Sequence, residues 1–162
     1  MMKKSVYIET SIASYLTARP SAALLTAAWQ SLTSDWWETR RQLFDLFTSD
    51  LVLVEAAKGD PGAAARRMTA LSDITRLAMT DEVAELSSVL LEGGALPSAA
   101  ADDATHIAVA AVHRIDYLLT WNCRHIDNAE TKPLIRSLCA AHGFVCPEIC
   151  TPQELMGLAT DD

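Results

Sequence analysis

The order of elements along the chain predicts an α/β sandwich built around a mostly parallel sheet. Three observations carry the prediction. Short apolar runs, SVYI at 5–8 and YLLTW at 117–121, read as buried strands. The stretches between such runs have room for helices, and several show helical periodicity or are rich in alanine. Start and stop signals separate them, among them Ser49, Gly59-Asp60-Pro61 and Gly93-Gly94-Ala95-Leu96-Pro97.

From the N-terminus, the first strand (5–8) ends at Glu9-Thr10-Ser11, and a short helix runs through Leu16. Pro20 and Ser21 open a long helical region in which Leu25, Trp29, Leu32, Trp36, Leu43 and Phe47 form one apolar stripe. Residues 44–48 read as the second strand, and Ser49 is placed to cap a helix over 50–58. A helix over 61–73, a strand around 76–79 and a helix over 81–92 follow. After the Gly-Gly break come the alanine-rich helix 98–114, the strand 117–121 and the loop NCRHIDNAE. A helix over 131–142 is closed by Gly143. A short last strand starts at Phe144 and Val145, and TPQELMG carries a small closing helix. No repeat or linker interrupts the pattern, so 1–162 reads as one domain.

Half of the residues are hydrophobic and 21% are charged, which excludes a disordered or collagen-like chain. No apolar run reaches the roughly 18 residues of a membrane span. MMKKSVYIETS lacks the apolar centre of a secretory signal, so the expectation is a soluble cytoplasmic protein. Thirteen basic residues against 21 acidic ones give a net charge of -8. Such a chain does not bind nucleic acid through bulk electrostatics, and handling a polyanion calls for metal ions or a local basic patch. Cys123, Cys139, Cys146 and Cys150 read as free, buried thiols. A zinc site on Cys146 and Cys150 would have to draw Cys139 and His142 out of a helix. There is no G-x-x-x-x-G-K-[ST] phosphate loop.

Ligands of an open parallel sheet bind outside the carboxyl ends of its strands. The first strand delivers Glu9 there, and YLLTW delivers Asn122. A carboxylate directly after a buried strand is costly to desolvate unless it is paired. Glu9 also suits a helix N-cap, and Asn122 a turn. Glu55 is the one charge between Asp50 and Lys58 on an apolar helix, where an exposed position supported by Lys58 is the plain alternative. Asp103 lies in the first turns of the alanine-rich helix, where Asp102 serves the helix dipole better; His106, one turn on, reads as a packing histidine. Carboxylates from distant stretches that converge at one sheet end need counter-charge, usually Mg²⁺ or Mn²⁺ for oxygen donors.

SVYIETSIASYL, ADDATHIAVAAV and YLLTWNCRHIDNAE, in that order, resemble the PIN-domain family, and among its members the VapC-type ribonuclease toxins of bacterial toxin–antitoxin pairs. The resemblance runs from about residue 4 to 150. It implies a three-layer α/β/α PIN-like sandwich and a metal-dependent nuclease site. The family's acidic positions fall on Glu9, Glu55, Asp103 and Asn122, with small hydroxyl residues at Thr10 or Ser11 and at Thr120. Two positions depart from the pattern: the first is usually Asp and is Glu here, and the fourth is often Asp and is Asn here. Three carboxylates then remain, which implies weaker metal binding and one tightly held ion rather than two, with Asp102, His125 and Asp127 near enough in sequence to compensate.

The activity implied is hydrolysis of RNA phosphodiester bonds with Mg²⁺ or Mn²⁺ held by Glu9 and Asp103, Glu55 orienting the nucleophile, and Asn122 completing the shell. A PIN-like module that binds RNA or protein without cutting is the alternative. Arg19, Arg40, Arg41 and Arg124 are candidate guides for the RNA backbone, while Arg66-Arg67 equally suits a solvated helix face. Adjacent Trp36 and Trp37 do not both suit the core face of one helix, so one is expected to leave it, either as an interface residue or as overflow of a broad apolar face. The resemblance implies a homodimer and a small antitoxin as partners.

Overall fold

Val6, Tyr7 and Ile8 are fully buried and make β1 (Lys4–Ile8) the central strand of a five-stranded sheet. The structure, a computed structural model, describes residues 2–158. β1 is flanked by β2 (Phe44–Ser49) on one side and by β4 (Tyr117–Leu119) on the other, while β3 (Thr75–Leu77) and β5 (Glu148–Cys150) form the edges. The order is β3-β2-β1-β4-β5, and every pair is parallel.

Parallel strands need crossovers, and these are right-handed. β1, β2 and β3 step one way, with α1 (Thr10–Thr17), α2 (Leu24–Thr39), α3 (Asp50–Ala56) and α4 (Pro61–Leu71) between them. The chain then returns past β1 to β4 and β5 through α5 (Asp81–Glu92), α6 (Ala101–Val112) and α7 (Lys132–Ala141). The helices therefore form two layers: α1 packs with α2, α3 and α4, and α5 packs with α6 and α7. Strand order reverses between β1 and β4, where an open sheet leaves a crevice at the carboxyl ends.

Local chemistry explains where the elements differ from the sequence reading. The long helix begins at Leu24 rather than at Pro20-Ser21, because Gln30 holds the preceding segment in a turn. Its Oε1 accepts from the Ser21 amide, and its Nε2 donates to the Arg19 carbonyl. Ser98–Ala100 is a 3-10 turn, so the alanine-rich helix proper starts at Ala101. The last strand is at 148–150 and not at Phe144-Val145. Gly143 turns the chain at φ 83°, the Phe144 amide donates back to the Cys139 carbonyl, and pairing resumes only when the Glu148 amide donates to the Asp116 carbonyl. The expected closing helix is a single turn, in which Glu154 Oε1 accepts from the Thr151 amide and hydroxyl before Gly157 (φ 83°) redirects the chain.

Of the four free cysteines, Cys139 and Cys150 are buried as expected, whereas Cys146 is half-buried and Cys123 is exposed. Trp36 is fully buried and donates its indole N–H to the Leu155 carbonyl at 3.2 Å. Trp37 is the one that leaves the core, half-buried beneath the Arg41 guanidinium 4.1 Å from its ring.

Candidate metal centre

Two glutamates meet at the carboxyl end of β1, and each is held the same way. Glu9 follows the last residue of β1 and N-caps α1, and only 5% of it is exposed. Its Oε1 accepts from the Ser11 hydroxyl at 2.5 Å and the Thr120 hydroxyl at 2.6 Å, and its Oε2 accepts from the Ser11 amide at 3.1 Å. Those hydroxyls are aimed by the backbone beyond β4. The Trp121 amide donates to Ser11 Oγ and the Asn122 amide to Thr120 Oγ1, so the one proton of each hydroxyl is left for the carboxylate. Trp121 is fixed in turn by its indole N–H, which donates to Thr33 Oγ1 at 2.7 Å, and by stacking on Trp29 with centroids 4.7 Å apart.

Glu55 lies on α3, whose start is capped as the sequence predicts by Ser49, which accepts from the Val52 amide. Its Oε1 accepts from the Thr10 hydroxyl at 2.6 Å and meets His106 Nε2 at 2.6 Å, while its Oε2 has no hydrogen-bond partner among the described residues. His106 is fully buried on α6. Its Nδ1 lies 2.7 Å from the Tyr7 hydroxyl, which lies 2.8 Å from Ser49 Oγ. Tyr7 and Glu9 are two apart on β1 and so share a sheet face. Burial would raise the Glu55 carboxyl's pKa. The hydrogen bond and charge of His106 and the Thr10 hydroxyl outweigh burial and hold it below the ordinary range. Burial would likewise lower the His106 pKa, but the Glu55 hydrogen bond and the charges of Glu9, Glu55 and Asp103 raise it. Burial also pushes the Tyr7 phenol well above its ordinary value.

One ligand atom from each of Glu9, Glu55 and His106 lies within 4.8 Å of the others. Asp103 stands one turn before His106, close enough for its charge to act on the imidazole, but outside that three-residue group. Its Oδ2 is 3.0 Å from His125 Nδ1. Asn122 serves a turn: its Oδ1 accepts from the His125 amide at 3.0 Å. Asp102 is exposed, and Asp127 is paired with Lys132 at 2.6 Å. Arg40 lies against Phe44, and Arg41 pairs with Asp73 at 3.3 Å. Arg19 and Arg124 are exposed.

The donor set suits an oxygen-seeking divalent ion. Each glutamate carries its hydroxyl or imidazole partners on Oε1, which leaves Oε2 of Glu55 without a partner among the described residues and Oε2 of Glu9 with the Ser11 amide alone. His106, Tyr7 and Ser49 are the participants that the sequence reading did not assign to the site. The available signal was spacing: Tyr7 is two before Glu9 on a strand, and His106 is three after Asp103 on a helix.

No protein-family model matches the chain, and neither does any curated protein. Among solved structures, VapC20 of Mycobacterium tuberculosis, a sarcin–ricin loop cleaving toxin, matches it with a TM-score of 0.55 and 19% identity. The match covers 86% of this chain and 96% of that one. The chain has the PIN-like α/β fold that the resemblance implies.

Proposed function

We propose that the chain is a metal-dependent endoribonuclease of the PIN-domain, VapC-like type that hydrolyses RNA phosphodiester bonds. The observation that carries this reading is the convergence of Glu9 and Glu55, 46 positions apart in sequence, at the carboxyl end of the central strand, with the Asp103 charge beside them. Glu9 and Asp103 would hold Mg²⁺ or Mn²⁺, with Glu55 ligating through water or orienting the nucleophile and Asn122 completing the shell. When bound, such an ion supplies Lewis-acid polarisation of the phosphate. The chain's own part is to hold two carboxylates in place. Ser11 and Thr120 do this for Glu9, and Thr10 and His106 for Glu55. Asn122 contributes an amide oxygen without charge, and that oxygen already accepts from the His125 backbone.

The test is Asp103→Asn, which should abolish Mn²⁺-dependent cleavage of a structured RNA. The melting temperature should barely move, because an asparagine Oδ1 can still accept from His125. Cleavage that persists would remove Asp103 from the machinery. In the toxin reading, expressing the chain alone slows growth and the Asp103 variant does not. Normal growth with the unaltered chain would count against a toxin and not against the fold. A homodimer and a small antitoxin belong to the same reading. Leu24 and Leu25, 88% and 63% exposed at the start of α2, offer apolar surface for such contacts. A cytoplasmic location goes with this reading, and none of the described helices is long and apolar enough to cross a membrane.

The second reading, a PIN-like module that binds without cutting, is favoured by one feature. Asn122 and Asp103, two of the four expected ligands, are turned to His125 and do not stand in the Glu9–Glu55–His106 group. Calorimetry separates the two readings: a non-catalytic module gives no heat of Mn²⁺ binding that depends on Glu9.

A further inference from the structure

Five of the thirteen lysines and arginines of this acidic protein are paired with acids. Lys4, Arg41, Arg76, Lys132 and Arg136 each have a carboxylate within 4 Å, and none of them belongs to α1, α3 or α4. The junction of those three helices is different. Arg66 on α4 donates its Nε–H to the carbonyl of Thr17, the last residue of α1, at 3.1 Å. Arg67 donates to the carbonyls of Ala56, at the end of α3, and of Lys58 just beyond it. Arg19 follows Thr17 by two residues, and Arg19, Lys58 and Arg66 are exposed.

A main-chain carbonyl fixes a guanidinium in place without cancelling its charge. Arg66 and Arg67 are anchored this way, and the exposed Arg19 and Lys58 stand within two residues of, or at, the carbonyls that hold them. The acids near them are Asp60, whose Oδ2 accepts from the Ala63 amide, and the half-buried Glu55. This junction adjoins the candidate metal centre. α1 starts beside Glu9 and is about 12 Å long at 1.5 Å per residue. Lys58 is also close enough to Glu55 for its charge to favour the ionised carboxylate.

We infer that the α1–α3–α4 junction, through Arg19, Lys58 and Arg66, is where the phosphate backbone of a single-stranded RNA segment lies as it leaves the carboxylate cluster. The inference rests on the ribonuclease reading and adds the direction of the strand. With a net charge of -8, attraction of a polyanion has to come from local cations. Arg66 is held in place, none of the three is in a salt bridge with a carboxylate among the described residues, and α1 spans the distance to Glu9.

The test is fluorescence anisotropy with a labelled single-stranded RNA, in Ca²⁺ and over a series of KCl concentrations. The variant is the double change Arg19→Gln and Lys58→Gln, which touches two exposed side chains that make no hydrogen bond in the fold. Affinity at low salt should fall about tenfold, and the slope of log K against log salt should shrink by about 1.4, or 0.7 per lost contact on a single strand. Lys3→Gln with Lys4→Gln, at the opposite end of the sheet, should leave both unchanged. An unaltered slope in the Arg19/Lys58 variant overturns the strand path while leaving the ribonuclease reading standing. So does an affinity loss that the Lys3/Lys4 control shares. Absence of any RNA binding by the unaltered chain overturns both.

Discussion

At the residue scale, Glu55 is positioned through one oxygen. Thr10 and His106 both meet Oε1, and behind the imidazole stand two more buried groups, Tyr7 and Ser49. Residues that orient a ligating carboxylate typically matter by roughly 10–100-fold in metal affinity. His106→Ala should therefore weaken Mn²⁺ binding by about that factor in calorimetry. His106→Gln should recover part of it, because its amide N–H can still donate to Oε1; identical affinities across the three proteins would refute the positioning role. The same pair makes stability depend on pH. The Glu55 pKa is lowered in the fold, so its contribution is present above the ordinary 4.5 and lost as the pH falls through the folded value. The His106 pKa is raised, so its contribution is complete below the ordinary 6.5 and lost as the pH rises through the folded value. In EDTA, the urea midpoint of the unaltered chain should exceed that of His106→Gln most between those two values, with the gap narrowing on either side. The acids of this site could be read from sequence, because a carboxylate on an apolar strand end or helix needs a partner. Tyr7 and His106 had only their spacing from Glu9 and Asp103 as a signal, because an aromatic in an apolar run looks like core until three elements meet around its polar atoms.

At the scale of elements, the contact between α5 and α7 depends on a missing side chain. Gly93 follows α5, and a Cβ there would come 2.6 Å from Leu138 Cδ1 on α7 and 2.9 Å from the Val89 carbonyl. Its φ of -74° is ordinary, so the constraint is space and not backbone freedom. Gly93→Ala should cost about 1–3 kcal/mol and lower the melting temperature by several degrees. Mn²⁺ affinity should be preserved, since α5 and α7 carry none of the carboxylates of the site; a melting temperature equal to that of the unaltered chain would show that α7 shifts freely. The elements legible in advance were those with strong local signals: the buried β1, the Ser49-capped α3, the helix over 81–92 and the alanine-rich α6. The misplaced ones were decided by tertiary partners. Phe144 and Val145 look like a strand, but the Phe144 amide closes α7, and the sheet takes Glu148–Cys150 because Asp116 offers its carbonyl there. Gln30, nine residues along the chain, delays the start of α2 by holding Ser21, and no local propensity reports that.

For the whole molecule, topology and charge act together. Parallel pairing in the order β3-β2-β1-β4-β5 brings the ends of β1 and β4 side by side, and with them Glu9 and the Thr120 hydroxyl that holds it. α3 and α6 approach from the two helical layers and add Glu55, His106 and Asp103. The alternation of strands and helices made this end of the sheet predictable, whereas the inward reach of α6 depends on packing and was not. The cluster gathers negative charge in a protein already at -8, so folding works against mutual repulsion that His106, Lys58 and nearby hydroxyl donors relieve. A divalent ion that binds the folded state alone should then stabilise it by mass action, by about 2.7 kcal/mol at a hundredfold excess over its dissociation constant. For a chain of this size that is a rise of about 5–10 °C in melting temperature when Mn²⁺ replaces EDTA. Glu9→Gln should remove most of the rise, because Oε2 then has no full charge to offer, while Lys3→Gln, at the far end of β1, should keep it. Equal melting temperatures of the unaltered chain in Mn²⁺ and in EDTA would mean that the converged carboxylates are balanced internally by the imidazole, and the metal-dependent reading would fall with them.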